Sequence, residues 1–259
     1  MRLTTLGDLL LDVIAHLDEK VVPGDDRMAT TRVGAGGQAA NVAAWAASLG
    51  AEARLVTKRG ADAAGELVAV ELRRHGVEVL GPVEGRTGVV VAIAAAGDRT
   101  MVSDRGSAPQ LRPDELDPAW FRCDALHVSG YALMREPIAS AALRAGELAR
   151  GGGASVSVDL SSWTLIDEAF RGRVRALVPD VVFAVERERE AFGELDTRWV
   201  VKRGAAGVVV DGVAFPAVAT EVVDATGAGD AFAAGFLVGG IEAGLEAAAR
   251  CCAKLGAMP

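Results

Sequence analysis

Val223-Asp224-Ala225-Thr226-Gly227-Ala228-Gly229-Asp230 places two carboxylates and a run of small residues directly ahead of the apolar stretch Ala231-Phe232-Ala233-Ala234-Gly235-Phe236-Leu237. Such a segment reads as a loop opening into a helix. Gly227 and Gly229 let the chain turn, and the first N–H groups of a helix lack intrahelical acceptors, so they point at whatever sits in front of them. That makes an anion site. Asp230, at its mouth, can take the proton from a hydroxyl that attacks a phosphoryl group held there. The same residues allow a plainer reading, in which Asp230 only favours the helix start and the glycines only form a turn.

A second cluster, Gly34-Ala35-Gly36-Gly37-Gln38-Ala39-Ala40-Asn41, repeats the pattern far away in the chain, with an amide one turn inside the helix. Gly36 and Gly37 permit close backbone approach, and Asn41 offers the donors and acceptor that suit a polyhydroxy ligand. Alone, Asn41 is an ordinary local polar residue; together with residues 227–230 it suggests a two-sided site.

The elements that must position these loops follow from periodicity. Gln38 to Leu49 is Ala-rich, with Val42, Trp45 and Leu49 on one face and Gly50 as a stop, which predicts a buried helix. Arg54–Thr57 reads as a strand, Ala63 to His75 as a helix with a basic end, and Val77–Leu80 as a strand. Further strands are expected at Ala125–Val128, Ala154–Val158, Val181–Val185 and Trp199–Val201, with helices between. Apolar strands alternating with helices predict an α/β fold with a mostly parallel sheet covered on both faces, its site beyond the carboxyl ends of the strands. Two segments break the rhythm: Val13–Val33, and Thr87–Val102, where Val89–Ala95 and Arg99–Val102 flank a hairpin signal at Gly97-Asp98. They are expected to pair into a small sheet that covers a ligand, or else to extend the edge of the main sheet.

Composition narrows the function. The chain has 259 residues, 51% of them hydrophobic, enough for a sizeable core, and a formal net charge of −8 that opposes nucleic-acid binding. Cys123, Cys251 and Cys252 are odd in number and read as reduced thiols of a cytoplasmic protein, while His16, His75 and His127 are scattered and do not suggest a metal cluster. No signal-peptide core is visible, and no run approaches ~18 uninterrupted apolar residues, so no membrane partner is expected.

With both clusters in this order, the chain resembles the ribokinase-like, or PfkB-type, carbohydrate kinase family, nearly from Leu6 to Ala257. Gly36-Gly37 with Asn41 matches its amino-terminal signature, and Asp224 to Asp230 matches Asp-x-Thr-Gly-Ala-Gly-Asp residue for residue. The resemblance implies a three-layer sandwich with a mostly parallel central sheet, residues 1–259 forming one domain with lid segments at about 13–33 and 87–102. It implies transfer of the γ-phosphoryl of ATP to an alcohol, most often a primary hydroxymethyl, of a pentose, ketohexose, keto-deoxy sugar acid or nucleoside. Asp230 would be the catalytic base, and the N–H groups of Gly227, Ala228, Gly229 and Asp230 the anion hole. Asp12, Gly36, Gly37 and Asn41 would contact the sugar. Val201 to Gly207 resembles the nucleotide loop, giving Lys202, Gly204 and Gly207 nucleotide roles alongside Thr226, Gly227, Gly229 and Gly256. Without the resemblance, that loop is a hairpin turn. Lys254-Leu255-Gly256-Ala257 resembles the end of the last helix, near the adenine and a monovalent-cation site that Asp224 and Thr226 help shape. Mg2+ and K+ are the implied ions, and lid-to-lid pairing the implied homodimer.

One departure stands out in Asp180 to Glu188, where the family carries Asn-x-x-Glu: Val185 holds the Asn position, while Glu188 matches the glutamate that organises water around magnesium. Glu190 is the alternative register, and without the resemblance Glu186, Glu188 and Glu190 read as a solvated helical face. The chain is also short, with economies expected between Gly106 and Pro216. Arg105 is expected to face solvent rather than an acidic substrate. The competing function is a catalytically weak or inactive sugar or nucleotide sensor on the same fold. A dinucleotide-dependent oxidoreductase is disfavoured, because Gly7 to Asp12 lacks the Gly-x-Gly-x-x-Gly turn.

Overall fold

The structure, a computed structural model, describes residues 1–95 and 98–259. The first half of the chain forms β1 (Arg2–Leu6), β2 (Leu10–Leu17), β3 (Thr30–Gly36), α1 (Gln38–Ser48), β4 (Glu52–Val56), α2 (Ala63–Arg74), β5 (Val77–Leu80), β6 (Thr87–Ala95) and β7 (Asp98–Gly106). The second half forms β8 (Ala125–Ser129), α3 (Ile138–Gly151), β9 (Ser155–Asp159), α4 (Glu168–Leu177), β10 (Val181–Val185), α5 (Glu186–Phe192), β11 (Arg198–Lys202), β12 (Val208–Val210), β13 (Val213–Phe215) and α6 (Ala228–Cys252). Short 3-10 turns fill several of the connections.

The main sheet runs β13-β12-β11-β10-β9-β8-β1-β4-β5, parallel from β11 to β5 and antiparallel at β12 and β13. Such strands are buried on both faces, and the uninterrupted apolar run of β10 shows it: Val182, Phe183 and Ala184 are fully buried. On one face α1, α2 and α6 enclose a core with Leu3, Trp45, Leu55 and Phe183; on the other, α3, α4 and α5 enclose Leu6, Leu126, Val158 and Phe170. This is the expected three-layer α/β sandwich. Local chemistry sets the boundaries: the Asp62 carboxylate accepts from Gly65 N at 2.8 Å at the start of α2, and Arg73 and Arg74 close its last turn.

The strands at Val77–Leu80 and Val181–Val185 lie where the sequence predicts them, and the helices over 38–49 and 63–75 end at Ser48 and Arg74. The strand expected over 154–158 runs one residue later, so that Asp159 becomes its last position. The two segments that break the rhythm form a separate four-stranded sheet, β3-β2-β6-β7, rather than an edge of the main one. Its strands begin at Leu10 rather than Val13 and continue to Gly106. β6 and β7 pair antiparallel from Thr87↔Gly106 to Ala95↔Asp98; the hairpin tip at Gly97 lies outside the described residues.

α6 is 25 residues long and apolar enough, by length and composition, to cross a membrane. Its geometry is that of a core hairpin. Gly240 adopts φ 86° and ψ −166°, and the chain folds back so closely that a Cβ on Gly244 would stand 2.9 Å from the Phe232 ring. The hairpin returns Cys251 to the loop where α6 began.

Candidate active site

Gly227 caps α6 in the left-handed region, φ 76°, where a side chain would be strained, and a Cβ there would stand 2.4 Å from that of Ala257. Ala228 N is engaged by Ala225 O at 3.3 Å. It is therefore not a free member of the expected anion hole. Among the described residues, Gly229 N and Asp230 N have no backbone acceptor, as the first turn of a helix leaves them. The Asp230 carboxylate accepts from Asn41 Nδ2 at 2.7 Å, which joins the two sequence clusters across 189 positions. Desolvation pushes this carboxyl up to about 7; the Asn41 bond and Lys202 act against the rise, and Asp159 and Asp12 add to it. A carboxyl poised near neutrality next to unpartnered helix N–H groups suits a general base facing an anion.

Lys202, at the end of β11, carries its ammonium to this mouth: a Cβ on Gly229 would lie 3.2 Å from Lys202 Nζ. The ammonium is paired with Asp159, at the end of β9, whose side chain is only 2% exposed. Burial works against the charge on Lys202, but Asp159, Glu188 and Asp230 more than offset it and raise its pKa. Glu188 is buried, so the solvated-face reading is wrong for it, although Glu186 and Glu190 are exposed. Its carboxylate accepts from Val185 N at 2.7 Å, a backbone contact that does not depend on the missing Asn side chain. Burial, then Asp159, raise its pKa. Gly204 and Gly207 frame a hairpin-like connection from β11 to β12, both with positive φ.

On the small sheet, Gly36 lies against Asp12 of β2: a Cβ at Gly36 would meet the Asp12 carboxylate at 2.1 Å. Gly37, φ 105°, leaves no room for a Cβ beside Asp8 O, at 2.5 Å. Asn41 Oδ1 is buried and has no partner among the described residues. The expectation that Arg105 faces solvent is overturned. Its guanidinium lies 3.6 Å from the centroid of the Tyr131 ring and is paired with the buried carboxylate of Asp8, because β7 returns over the end of β1. Gln38 Oε1 accepts from Ser129 Oγ and Ser161 Oγ, each at 2.6 Å, and fixes the floor between α1 and the sheet.

Residues 2–258 match the family described as pfkB family carbohydrate kinase. The chain belongs to this family. It is a carbohydrate kinase, a phosphotransferase that carries the γ-phosphoryl of ATP to an alcohol of a sugar-like acceptor. The chain is 31% identical to an ATP-dependent ribose-1-phosphate kinase from Halopiger xanaduensis, over 97% of this chain and 90% of that one. It is 30% identical to a fructokinase from Klebsiella pneumoniae, over 92% and 84%. Among solved structures, adenosine kinase from Sinorhizobium meliloti superposes with a TM-score of 0.86 at 25% identity, covering 100% of this chain and 95% of that one. A ribokinase from Thermotoga maritima shares the fold, with a TM-score of 0.80 at 22% identity over 100% and 96%.

In this kinase the segment Lys254 to Ala257 does not end a helix: α6 stops at Cys252 and the chain turns back on the 224–227 loop. The residues there hold one another. The Asp224 carboxylate accepts from Thr226 N at 2.9 Å and from Gly256 N at 3.0 Å. Leu255 O accepts from Arg32 Nη1 at 2.7 Å, Ala257 O from Trp45 Nε1 at 2.7 Å, and Thr226 O from the Cys251 thiol at 3.2 Å. Each of these carbonyls thus already accepts from a protein donor, and a guanidinium stands beside them.

Asp8, Asp159, Gln38 and Tyr131 are the members of the site that sequence reasoning missed. Asp8 and Asp159 carried a usable signal. Each stands at or just after the carboxyl end of a central strand, where open α/β sheets place their ligands.

Proposed function

We propose that this kinase phosphorylates a primary hydroxymethyl group of a small sugar or sugar-like acceptor, with Asp230 as the base. The observation that carries this reading is the Asp230 carboxyl, held near neutrality beside the open N–H groups of Gly229 and Asp230 and the Lys202 ammonium. The acceptor hydroxyl gives its proton to Asp230 as its oxygen bonds to the γ-phosphorus, and the bond from that phosphorus to the β–γ bridging oxygen breaks, releasing ADP. The N–H groups and Lys202 receive the charge on the transferring phosphoryl group, so most of the catalysis is positioning and charge stabilisation.

Asp12, Gly36, Gly37 and Asn41 bind the acceptor hydroxyls in this reading. The unpartnered Asn41 Oδ1 supports it, since a buried acceptor without a donor is costly until a ligand hydroxyl meets it. Lys202, Gly204, Gly207, Thr226 and Gly256 face the nucleotide. Among the described residues no group of three or more metal-ligating side chains exists. Glu188 and Asp159 are the residues that would hold a magnesium ion, which would supply positive charge against the phosphates of the nucleotide. The small sheet serves as a lid that excludes water, and its exposed Val33, Val91, Met101 and Val102 suit pairing with a second copy in a cytoplasmic homodimer.

The test is ADP formation with magnesium over pentoses, ketohexoses, sugar acids, sugar phosphates and nucleosides, with Asp230→Asn as control. Acceptor-dependent turnover that the variant loses supports the reading. Magnesium-ATP and sugar binding without turnover on any acceptor would favour the sensor reading, which Val185 motivates.

A further inference from the structure

The loop that opens α6 and the turn that follows it are laced by protein donors where a bridging cation would otherwise stand. Cys251 is fully buried, and its sulfur lies 3.2 Å from Thr226 O and 3.8 Å from Ala257 O, between the two segments. Its pKa is pushed up to about 12, by burial first and then by Cys252, Asp230 and Asp224, so the group there is a neutral thiol with a proton to donate. Arg32, reaching from lid strand β3, donates to Leu255 O and lies so close to Gly256 that a Cβ there would stand 3.0 Å from Nη1. Trp45 Nε1 takes Ala257 O. Cations also stand near, along with the Asp224 carboxylate that Gly256 N holds: Arg250 lies 5.5 Å and Lys254 Nζ 5.3 Å from the centroid of the Trp45 ring, and burial, with Arg250 and Arg32, lowers the Lys254 pKa. A bare monovalent cation entering this place would compete with protein donors for these carbonyls and meet the charge of Arg32, Arg250 and Lys254, while the nearby carboxylate of Asp224 is already engaged by Thr226 N and Gly256 N.

We infer that Arg32 and Cys251 do the structural work of a bridging cation in this kinase, so that the loop of residues 224–229 is formed without potassium and is tied directly to the lid. Arg32 is a positioning residue in this account: it touches neither reacting group and acts through Leu255 and Gly256, whose N–H holds Asp224. The inference rests on the proposed reading in which the loop of residues 224–229 faces the phosphates of the nucleotide.

Two measurements on the full chain test it. Magnesium-ADP is titrated calorimetrically in potassium and in tetramethylammonium salts at equal ionic strength, with the unaltered protein and with Arg32→Ala, a change at an exposed residue that leaves the core intact. The unaltered protein should bind within about twofold in the two salts, and Arg32→Ala should bind about fivefold or more weakly in tetramethylammonium, since loop ordering must then come from binding energy. Tenfold tighter binding in potassium, or an Arg32→Ala variant that binds like the parent, overturns the inference. Thermal melts without nucleotide give the second readout: a saturable, potassium-specific rise in Tm would reveal a cation site and also overturn it. If magnesium-ADP binds in neither salt, the nucleotide reading fails, and the melts still decide whether a cation site exists.

Discussion

Replacing Asp230 with asparagine should cost the kinase its activity and make it more stable, and the second effect depends on pH. The carboxyl ordinarily ionises near 3.8 and in the folded site near 7. The native state therefore holds a proton that the unfolded chain releases, so stability falls as pH rises from about 4 to about 7, and the whole penalty is carried above that window. At 1.36 kcal/mol per pH unit the gap sets a ceiling of about 4 kcal/mol. Asp230 keeps partial contact with solvent, which screens the charge and brings the working expectation to about 2 kcal/mol. Asparagine has the same shape and no charge, and its Oδ1 can still accept from Asn41. Urea unfolding of parent and variant should therefore nearly coincide close to pH 4, with the variant more stable by that amount at pH 8. Turnover should fall by about 10²–10⁴-fold, the usual contribution of a positioned base. The kcat/KM of the parent should rise with pH as Asp230 loses its proton, with an apparent pKa near 7. A variant equal to or weaker than the parent at pH 8 would refute the claim that the site strains this carboxylate. Turnover within tenfold of the parent would refute its role as base.

Lys202→Met leaves the buried Asp159 carboxylate without its counter-ion and should cost about 3–5 kcal/mol in urea unfolding. Adding Asp159→Asn should recover most of that stability but not turnover; a double variant as unstable as the single one would contradict the charge account. Gly227→Ala forces a Cβ to within 2.4 Å of Ala257 Cβ at a positive φ, so a loss of about 2 kcal/mol or more and weakened magnesium-ADP binding are expected in melts and calorimetry. Asp12→Ala should weaken acceptor binding, measured calorimetrically, more than nucleotide binding. Equal losses would point to a general folding defect instead.

What the sequence revealed and what it hid divide along a physical line. Strands such as β5 and β10 are legible because burial on both faces demands apolar runs, and α1 and α2 because one apolar face repeats at helical spacing beside turn and cap residues. The two glycine clusters were legible because backbone conformation and close approach leave few residue types able to stand there: a Cβ at Gly36 would strike Asp12, and one at Gly227 would strike Ala257. Arg105 was misjudged for the opposite reason. Its local neighbours, Asp104 and Gly106, say nothing about Asp8 and Tyr131, which the register of the lid brings to it from 97 and 26 positions away. Glu188 is singled out from Glu186 and Glu190 only by the family resemblance, because the pattern of α5 alone does not reveal which of the three turns toward β9 and β11.

The same line explains why the site is held as it is. Arg105 pins β7 to the end of β1, Arg32 pins β3 to the turn after α6, and Asn41 joins α1 to Asp230 at the start of α6. None of these links lies within a single element, so none is supplied by helix or strand formation itself. Each joins the small sheet or α1 to the main sheet, to the start of α6 or to the turn after it. If the small sheet serves the acceptor and the loop of residues 224–229 the nucleotide, as proposed, a disturbance of one is felt at the other, because the binding free energies of two linked sites are coupled reciprocally. Weakening Arg32 should accordingly loosen acceptor binding as well as nucleotide binding. A purely local role for Arg32 would leave acceptor affinity untouched, and that is the difference the Arg32→Ala titrations can resolve.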